Sequence, residues 1–458
     1  MIENDAFKLL LINLFHLNPD DIANILCTTF NKMMVLVVTL TDKHQACPYC
    51  GFTAPKIKEY VTKEITHSAL TTQKCIIKYR ARRYKCSCCG KTYYEFNPFV
   101  FKSQKISILT VHNILKDLKD FNETFTSVAR RYHVSPTSVS TIFDNHVDIG
   151  RNPLPEIINF DEVYAFKSEK SKYVCVLLDF KKQIPVDVLP NRKKEYLLNY
   201  FQKIPLEERK KVKYACSDMY EVYRDVVHKV FPESKHLLDY FHLSQDFHKK
   251  MNEVRIKVMK GYKDDKASDE YYLLKKFNWL LFKNPEDEDK YGRLFDVERE
   301  RKYNSHFKSY MNYYDLRKKI LEINNDLTIC YSLKLELVDF YSKSTIDNAQ
   351  VNLEHLIRSF IDTNIEEMIA FSNNLINWKQ EIINSFTIVG TEYKVEADKG
   401  QVVVCNKKVN NAIIENRNKI IKCIKNNANG YTNWSRFRNR VMYVLDPNAT
   451  FSLEPREK

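Results

Sequence analysis

The stretch KYACSDMYEVY, residues 213–223, places the carboxylate of Asp218 between a short apolar run and an amphipathic segment. This change of pattern predicts a strand that is followed by a helix. Asp218 then has two interpretations. Its side chain could cap the helix by accepting from the first free backbone N–H groups, a contact worth about 1 kcal/mol. It could instead be a metal ligand at the carboxyl end of the strand. The choice between a helix cap and a metal ligand depends on which other residues lie near Asp218.

The segments on either side of Asp218 predict the strand and helix order of an RNase H-like fold. Three strands joined by short turns are expected in IINF leading to Asp161, in YVCVLLDF (173–180) and in QIPVDVLP (183–190). A helix in KKEYLLNYFQKI, the strand before Asp218, a helix in YEVYRDVVHKVF and a buried strand at 235–239 follow. In that order Asp161 lies on the first strand and Asp218 at the end of the fourth, so adjacent strands bring the two carboxylates together.

The composition indicates a folded, basic protein of several domains. The chain has 458 residues, of which 44% are hydrophobic, and this is enough material for a sizeable core. A formal net charge of +14 favours a polyanionic partner, above all nucleic acid. No apolar run reaches the ~18 residues of a membrane helix, and the acidic N-terminus does not resemble a signal peptide. We therefore expect a cytoplasmic protein whose 12 cysteines do not form a disulfide set.

Two Cys-x-x-Cys-Gly motifs predict a zinc ribbon in an N-terminal region, residues 1–99. ACPYCGF holds Cys47 and Cys50, and YKCSCCGK holds Cys86 and Cys89. In such a motif a tight turn aims two thiolates at one ion, and the Gly after it tolerates the backbone of the turn. Four protein ligands leave no open position, so the Zn²⁺ would be structural. Cys88 is the alternative to Cys89, but only Cys89 has the repeated spacing.

Residues 100–150 predict a helix-turn-helix DNA-binding domain. TFTSVARRYHVSPTSVSTIFDNHV reads as a short helix over 126–132, a turn at 133–135 and a second helix, with Ser135 as its N-cap and Pro136 at its first position. The second helix would enter the major groove of DNA. The side chains left outside the small core, and expected to contact DNA, are those of Arg130, Arg131, Thr137, Ser138 and Ser140. The alternative is a helical hairpin that does not bind DNA.

A single acid stands out in the basic segment 399–445. This segment holds ten Lys or Arg residues and one carboxylate, Glu415. In KKVNNAIIENRNKIIKCIK a helix is expected with Val409, Ile413, Ile420 and Ile424 on one face and with Asn411, Glu415, Asn418 and Lys422 on another. Glu415 could pair with Lys419 one turn later, for a few tenths of a kcal/mol. It could also be the third carboxylate of a metal site.

Three carboxylates on such a scaffold suit phosphodiester chemistry. Two Mg²⁺ ions (or Mn²⁺) about 4 Å apart can activate a water or a 3′-hydroxyl and stabilise the leaving oxygen, and carboxylate oxygens are their preferred ligands. Asp161, Asp218 and Glu415 are the expected ligands. Asp239 and His242, in DYFHL, follow the fifth predicted strand; we expect His242 to be a catalytic residue and Asp239 to support the site. His242 could hydrogen-bond the scissile phosphate, orient Asp218, or be a core histidine.

With these motifs in order, the chain resembles the bacterial insertion-sequence transposases of the ISL-three family, which have a DDE active site. NFDEVYAF resembles the block with the first catalytic Asp, here Asp161, and CSDMYEVYRDVVHKVFP with LLDYFHL resembles the block with the second, Asp218. VNNAIIENRNKIIKCIK resembles the C-terminal block, which makes Glu415 the third acid and Asn418 its partner. The flanks of Glu415 depart from the family, since Asn410 and Asn416 stand where the family has Ser and Gly.

The resemblance implies a transposase that binds the terminal inverted repeats of its element and self-associates on DNA in the nucleoid. It would cut strands and join the 3′-OH ends to target DNA, with double-stranded DNA as its partner and no role for a membrane. The catalytic core would span 155–245 and 396–446, interrupted by an all-α insertion at 246–395. Two other classes stay open: a catalytically inactive, transposase-derived DNA-binding protein, and a structure-selective RNase H-like nuclease.

Overall fold

The protein is a mixed α/β, multidomain chain in a computed structural model that describes residues 2–43, 45–53, 55–68, 73–101, 104–166, 172–395 and 402–456. Its N-terminal sheet, a group of three helices, a central sheet and a large helical region follow one another along the sequence. No helix in the described ranges is both long enough and apolar enough to cross a membrane.

A five-stranded sheet forms the N-terminal region. Its elements are α1 (Ile2–Leu14), β1 (Ile22–Phe30), β2 (Met33–Leu40), β3 (Lys56–Thr66), β4 (Cys75–Lys85) and β5 (Thr92–Tyr94). The strand order is β1-β2-β4-β3, and β5 pairs with β4. Along β4, Ile77, Tyr79 and Ala81 are buried in alternation with more exposed basic residues, as expected for a sheet with one solvated face.

Three short helices follow: α2 (Ile108–Asp117), α3 (Phe125–Arg131) and α4 (Pro136–His146). The start of α4 is as predicted, because Pro136 occupies the first turn and the Ser135 hydroxyl accepts from the Ser138 N–H at 3.0 Å. His133 in the intervening turn has a φ of 54°. Ala129 and Val139 are buried between the helices, and Val134 packs against them. The sequence therefore predicted this local structure correctly.

The central sheet has five strands in a mixed arrangement. The elements are β6 (Ile157–Val163), β7 (Val174–Asp179), β8 (Pro185–Leu189), α5 (Lys194–Gln202), α6 (Leu206–Arg209), β9 (Tyr214–Ser217), α7 (Glu221–Val230) and β10 (Lys235–Leu238). The strand order is β10-β9-β6-β7-β8. The pairs β6–β7 and β7–β8 are antiparallel, whereas β6–β9 and β9–β10 are parallel. All residues of β7 and β8 are buried, because helices cover both faces of the sheet.

The region that follows is mostly helical and has a hydrophobic core of its own. Its elements are α8 (Tyr240–Lys260), α9 (Asp269–Lys276), β11 (Glu288–Asp289), β12 (Gly292–Arg293), β13 (Lys302–Asn304), β14 (Ser309–Met311), α10 (Tyr313–Ile323), α11 (Asn325–Lys343), α12 (Ala349–Ile361), α13 (Glu366–Asn377) and α14 (Lys379–Asn384). The expectation of an all-α insertion is wrong in one respect, since β11–β12 and β13–β14 form two small hairpins. Strands of two or three residues are too short to show a period of two.

The C-terminal part returns to the central sheet. It contains the antiparallel hairpin of β15 (Ile388–Val395) and β16 (Val402–Lys408), then α15 (Ala412–Asn427) and α16 (Trp434–Leu445). Ile414, Ile421 and Ile424 of α15 pack with residues of β7 on the face of the sheet opposite α5 and α7. Ile424 was predicted correctly, but Ile414 and Ile421 are buried in place of the predicted Ile413 and Ile420. Ile413 and Ile420 are only half-buried, and Val409 precedes the helix.

Candidate active site and metal centres

Asp161 is held in place by the backbone beside it and by α15. It lies on β6 and is 8% exposed. One carboxylate oxygen accepts from the Glu162 N–H at 2.7 Å, and the other accepts from Asn418 Nδ2 at 2.8 Å. Burial raises the pKa of Asp161 to about 7, with the nearby charge of Asp218 adding to the effect, although the Glu162 N–H favours the ionised form. Asn418 thus joins the C-terminal helix to the first strand of the central sheet.

Asp218 follows β9 directly, and it does not cap the next helix. Helix α7 has Tyr220 at its N-cap position and no side-chain cap. The Oδ1 atom of Asp218 is buried and has no hydrogen-bond partner within the described ranges. Burial raises the pKa of Asp218 to about 7, and the neighbouring Glu162 carboxylate contributes in the same direction. The capping interpretation is therefore wrong, and a buried acceptor is left without a donor.

Asp239, His242 and Glu415 form a compact group beside these carboxylates. Asp239 follows β10, His242 lies in the first turn of α8, and Glu415 lies in the first turn of α15. One donor atom from each lies within 4.8 Å of the others. Asp239 Oδ2 and His242 Nε2 are 3.9 Å apart, and both are buried without a hydrogen-bond partner. The sequence predicted His242 as a catalytic residue and Asp239 only in a supporting position.

Glu415 makes no ion pair with Lys419 within the described part of the chain. Lys419 Nζ lies 3.4 Å from Asn416 Oδ1 instead. Glu415 is half-buried beside Asp239 and His242. The charge of Glu415 is among the causes that raise the pKa of Asp239, after burial as the main cause. The structure therefore gives no support to the interpretation of Glu415 as a helix ion pair.

A pair of buried asparagines organises the site, and the sequence reasoning missed this role. Asn411 Oδ1 accepts from Asn159 Nδ2 at 2.7 Å, and Asn411 Nδ2 donates to the Phe160 carbonyl at 3.2 Å. The Asn411 N–H donates to Asp239 Oδ1 at 3.2 Å. The start of α15 is thereby joined to β6 and to the end of β10. An asparagine inside the apolar strand IINF was the available signal.

A second group that the sequence reasoning missed is Glu162 with Arg192. The Arg192 guanidinium contacts the Glu162 carboxylate and lies over the rings of Tyr173 and Tyr220, 4.8 and 4.7 Å from their centroids. The same positive charge favours the ionised form of Asp218 and so lowers its pKa, against the larger effect of burial. This arginine provides a fixed positive charge at the edge of the carboxylate cluster.

The chemistry of the donors fits a divalent metal. Asp218 Oδ1, Asp239 Oδ2 and Asn418 Oδ1 are buried oxygen acceptors without partners. Each unsatisfied group of this kind costs about 1–3 kcal/mol. A hard cation such as Mg²⁺ or Mn²⁺ would satisfy several at once and would offset the repulsion among the carboxylates. Asp161, Asp218, Asp239 and Glu415 are the residues that could hold it.

The four predicted cysteines form one cluster. Cys47 Sγ lies 3.7 Å from Cys89 Sγ, and Cys50 Sγ lies 3.5 Å from Cys86 Sγ. Tetrahedral Zn²⁺ with bonds of about 2.3 Å separates its sulfur ligands by roughly 3.8 Å. Both motifs close in the same way, with a φ of 74° at Gly51 and 72° at Gly90. Cys88 is exposed and lies outside the cluster, so the alternative to Cys89 is wrong.

The five residues expected to contact DNA differ in their surroundings. Arg130 and Thr137 are exposed, whereas Ser138 and Ser140 are half-buried. The Ser140 hydroxyl donates to the Thr137 carbonyl at 2.9 Å. The Arg131 guanidinium forms ion pairs with Asp117 and Glu123. The sequence pattern had predicted that Arg131 is free to contact DNA. In the structure its guanidinium is instead paired with carboxylates of the protein itself.

The central sheet and most of its carboxylates lie in a segment that identifies the class of protein. Residues 158–397, just over half of the chain, match a family model described as a transposase. The protein is thus an enzyme that acts on DNA. It belongs to the ISL-three family of DDE transposases. The matched segment includes Asp161, Asp218, Asp239 and His242 and ends before Glu415.

A relative of known name agrees with this assignment. The transposase for insertion sequence element IS1001 of Bordetella parapertussis is 19% identical to this chain over 412 residues. The similarity covers 89% of this chain and 91% of that protein. It therefore extends well beyond the matched family segment.

Proposed function

We propose that this transposase binds the terminal inverted repeats of its own insertion sequence and joins the cleaved 3′-OH ends to target DNA on an RNase H-like core. Three antiparallel strands, β8, β7 and β6, are continued by the parallel strands β9 and β10. Helices α5 and α7 cover one face of the sheet, and α15 and α16 cover the other. This order and this layering support the RNase H-like assignment.

The observation that carries the proposal is the convergence of carboxylates from four separate elements. Asp161 comes from β6, Asp218 from the end of β9, Asp239 from the end of β10 and Glu415 from α15. We assign Asp161, Asp218 and Glu415 as ligands of Mg²⁺ (or Mn²⁺), and we add Asp239 because its Oδ2 atom is buried without a partner. The metal ions, when bound, would activate the attacking oxygen and stabilise the leaving one.

The protein's own residues hold this arrangement before any DNA is bound. Asn418 orients Asp161, and Asn411 orients Asp239. His242 would donate to the scissile phosphate or position Asp239, since its Nε2 atom is buried next to that carboxylate without a partner. The contact with the phosphate was among the roles expected from the sequence, whereas the alternative partner proposed here is Asp239 in place of Asp218.

We further propose that the cysteine cluster with Zn²⁺ and the helix-turn-helix of α3 and α4 recognise the DNA ends. The exposed side chains of Arg130 and Thr137, together with Ser138 and Ser140, would contact the duplex. Arg131 would support this surface indirectly through Asp117 and Glu123. A net charge of +14 is consistent with extensive phosphate contacts. Pairing of two DNA ends would require self-association on DNA.

The domain limits that we propose follow the hydrophobic cores. Residues 1–99 and 100–150 form the N-terminal and helix-turn-helix units, and the catalytic core combines 155–239 with the segment from 409 onward. The helical insertion begins with α8 at Tyr240 rather than at 246, because α8 packs into the helical core. The hairpin β15–β16 spans the expected boundary at 395, so it belongs to one unit as a whole.

The test is an assay of binding, nicking and strand transfer on a duplex that carries the element's own ends. Asp161→Asn, Asp218→Asn and Glu415→Gln should each lower Mg²⁺-dependent cleavage by at least about 100-fold and leave end binding intact. Asp179→Asn is the control, because Asp179 is a buried carboxylate of the same sheet that caps the turn at Lys181 and Lys182. Cleavage retained by Asp161→Asn or Asp218→Asn would contradict the assignment.

The same assay separates the other two classes. A DNA-binding regulator would bind the ends without nicking them in Mg²⁺ or Mn²⁺. A structure-selective nuclease would nick without joining the 3′-OH ends to a target duplex. Strand transfer by the wild-type protein is the outcome that only the transposase proposal predicts.

A further inference from the structure

A second group of metal-binding side chains lies outside the carboxylate cluster. His228 on α7, His236 on β10 and Glu381 on α14 offer donor atoms that all lie within 4.8 Å of one another. Glu381 Oε1 is 3.9 Å from His228 Nε2 and also 3.9 Å from His236 Nδ1. The three side chains come from two units of the protein, the central sheet and the helical insertion. The group therefore lies where these units meet.

The hydrogen bonds of His236 are compatible with the tautomer whose Nδ1 atom can bind a metal ion. The Ser217 hydroxyl donates its only proton to the Asp218 carbonyl at 2.9 Å. Ser217 Oγ is also 2.9 Å from His236 Nε2, and with its own proton on the Asp218 carbonyl it accepts the proton of that nitrogen. In the neutral ring this leaves Nδ1 with a lone pair. His236 Nδ1 is buried and has no hydrogen-bond partner among the residues that the structure describes.

Two acceptors therefore face each other in a buried place. His236 is 1% exposed and Glu381 is 4% exposed. A lone pair and a carboxylate oxygen at 3.9 Å cannot hydrogen-bond and repel each other unless a cation lies between them. The third donor, His228 Nε2, is on the solvent side, since the His228 side chain is 56% exposed. The arrangement is a half-open site with two nitrogen ligands and one oxygen ligand.

We propose that His228, His236 and Glu381 bind a transition-metal ion, with Zn²⁺ as the best match, that fastens the helical insertion to the central sheet. Imidazole and carboxylate ligands suit Zn²⁺ and leave its fourth position to water. Ligands of tetrahedral Zn²⁺ at about 2.05 Å are roughly 3.4 Å apart, so each 3.9 Å gap must close by about half an ångström. The exposed His228 side chain has the freedom to close its own gap to Glu381, whereas the gap between the buried side chains of His236 and Glu381 must close by a small shift within the core.

The surroundings of the group bear on its strength and on its role. Arg224 lies nearby, and its positive charge opposes the binding of a cation. Its guanidinium is held by the Asn377 carbonyl at 2.9 Å and by the Trp378 ring at 4.3 Å. Ser217, the partner of His236, directly precedes Asp218. A metal on His236 would thus rigidify the strand end that carries a proposed catalytic carboxylate.

The experiment counts bound metal on the full-length chain and needs no DNA. Zn²⁺ and, separately, Co²⁺ are titrated onto metal-depleted protein, with bound metal measured by mass spectrometry and by visible absorption. With the carboxylate cluster saturated by excess Mg²⁺, the wild-type protein should bind two Zn²⁺ or Co²⁺ ions. One of these, in the cysteine cluster, shows sulfur-to-Co²⁺ charge transfer, and the other does not. The second ion should also raise the temperature of unfolding.

Three variants make the test specific. His228→Ala removes an exposed ligand and should lose the second ion without loss of fold, as should the isosteric Glu381→Gln. His355→Ala is the matched control, an exposed histidine on α12 of the same helical region, and it should bind two ions. Binding of only one ion by the wild type, with His236 then protonated, would overturn the proposal. Binding of two ions by His228→Ala would overturn it equally, as adventitious uptake.

Discussion

Asn418 shows how much of the candidate active site depends on one uncharged residue. Its Nδ2 group donates to Asp161, and its Oδ1 atom is buried without a partner. A carboxylate that must bind a metal ion in a fixed geometry needs such orienting contacts. The residue is 5% exposed, so its amide is part of the core between α15 and β6.

Substitution of Asn418 by Ala should therefore lower the rate of Mg²⁺-dependent cleavage by about 10–100-fold and raise the Mg²⁺ concentration needed for half-maximal rate. Asn416→Ala on the exposed side of the same helix is the control and should behave like the wild type. The measurement is a cleavage rate at a series of Mg²⁺ concentrations. Equal Mg²⁺ dependence in the two variants would show that Asn418 does not orient Asp161.

His67 gives a prediction about pH at the same scale. Its ring bridges the Ser107 hydroxyl and the Phe15 carbonyl, each at 2.9 Å, and burial lowers the pKa of His67 to about 4. The unfolded chain has an ordinary histidine pKa near 6.5, so it takes up the proton first. Stability contributed by the neutral ring is complete above pH 6.5 and is lost as the pH falls towards 4, by about 3 kcal/mol.

The free energy of unfolding should consequently fall less between pH 7 and pH 4 for His67→Gln than for the wild type. His355→Gln, at an exposed position, should keep the wild-type slope. Urea denaturation at a series of pH values measures the difference. Parallel slopes for His67→Gln and the wild type would mean that His67 does not titrate abnormally.

At the scale of elements, the cysteine motifs were predictable because their chemistry is local. Each motif closes with its own backbone hydrogen bonds, from Gly51 to Cys47 at 2.9 Å and from Gly90 to Cys86 at 3.0 Å. The spacing of the ligands and the need for a positive φ are both visible in a few consecutive residues. Helix α4 was predictable for the same reason, since Ser135 and Pro136 specify its start locally.

A prediction about Gly90 tests this local rule. Its φ of 72° lies in the left-handed region, so Gly90→Ala should destabilise the turn by about 1 kcal/mol and speed the release of metal to a chelator. The added Cβ meets nothing within 4 Å, so the effect would be conformational and not steric. Gly150→Ala has open space and no positive φ, and it should release metal at the wild-type rate.

Helix α15 shows where local reasoning stopped. The sequence predicted a helix and singled out Glu415, but it chose Ile413 and Ile420 for the buried face instead of Ile414 and Ile421. Apolar residues at neighbouring positions satisfy a period of 3.6 about equally well in either choice. Which face of α15 is buried depends on its packing against the central sheet. Asn411 and Asn418 are buried in that same contact.

At the scale of the whole molecule, Arg440 joins the C-terminal helix to the DNA-binding helices. It is 1% exposed on α16, and its guanidinium donates to the carbonyls of Asp120 and Glu123 at 2.8 and 2.7 Å. Tyr443 of the same helix donates to the Leu115 carbonyl at 3.0 Å. Chain segments more than 300 residues apart thus share one core.

Arg440→Leu should destabilise the protein by about 2–3 kcal/mol, because two buried carbonyls lose their donors. The DNA-binding helices should also unfold at a lower urea concentration than the central sheet. Arg436→Leu, which removes a half-exposed ion pair with Asp144, should cost less than about 1 kcal/mol. The measurement is urea denaturation, followed by one probe on α3 and another on the central sheet. An unchanged midpoint for α3 in Arg440→Leu would show that Arg440 does not connect α16 to the DNA-binding helices.

The sequence by itself determined the cysteine motifs, the start of α4 and the succession of strands and helices along the central region, and it singled out the carboxylates at 161, 218 and 415 as candidate ligands. These features depend on side chains close together in the chain, whose patterns and spacings carry their own physical reason. Only the tertiary structure decided that Asp239 faces Glu415, that Asn159 and Asn411 join their supports, and that His228 and His236 meet Glu381. Such contacts join segments more than a hundred residues apart, and packing of the sheet and helices brings them together.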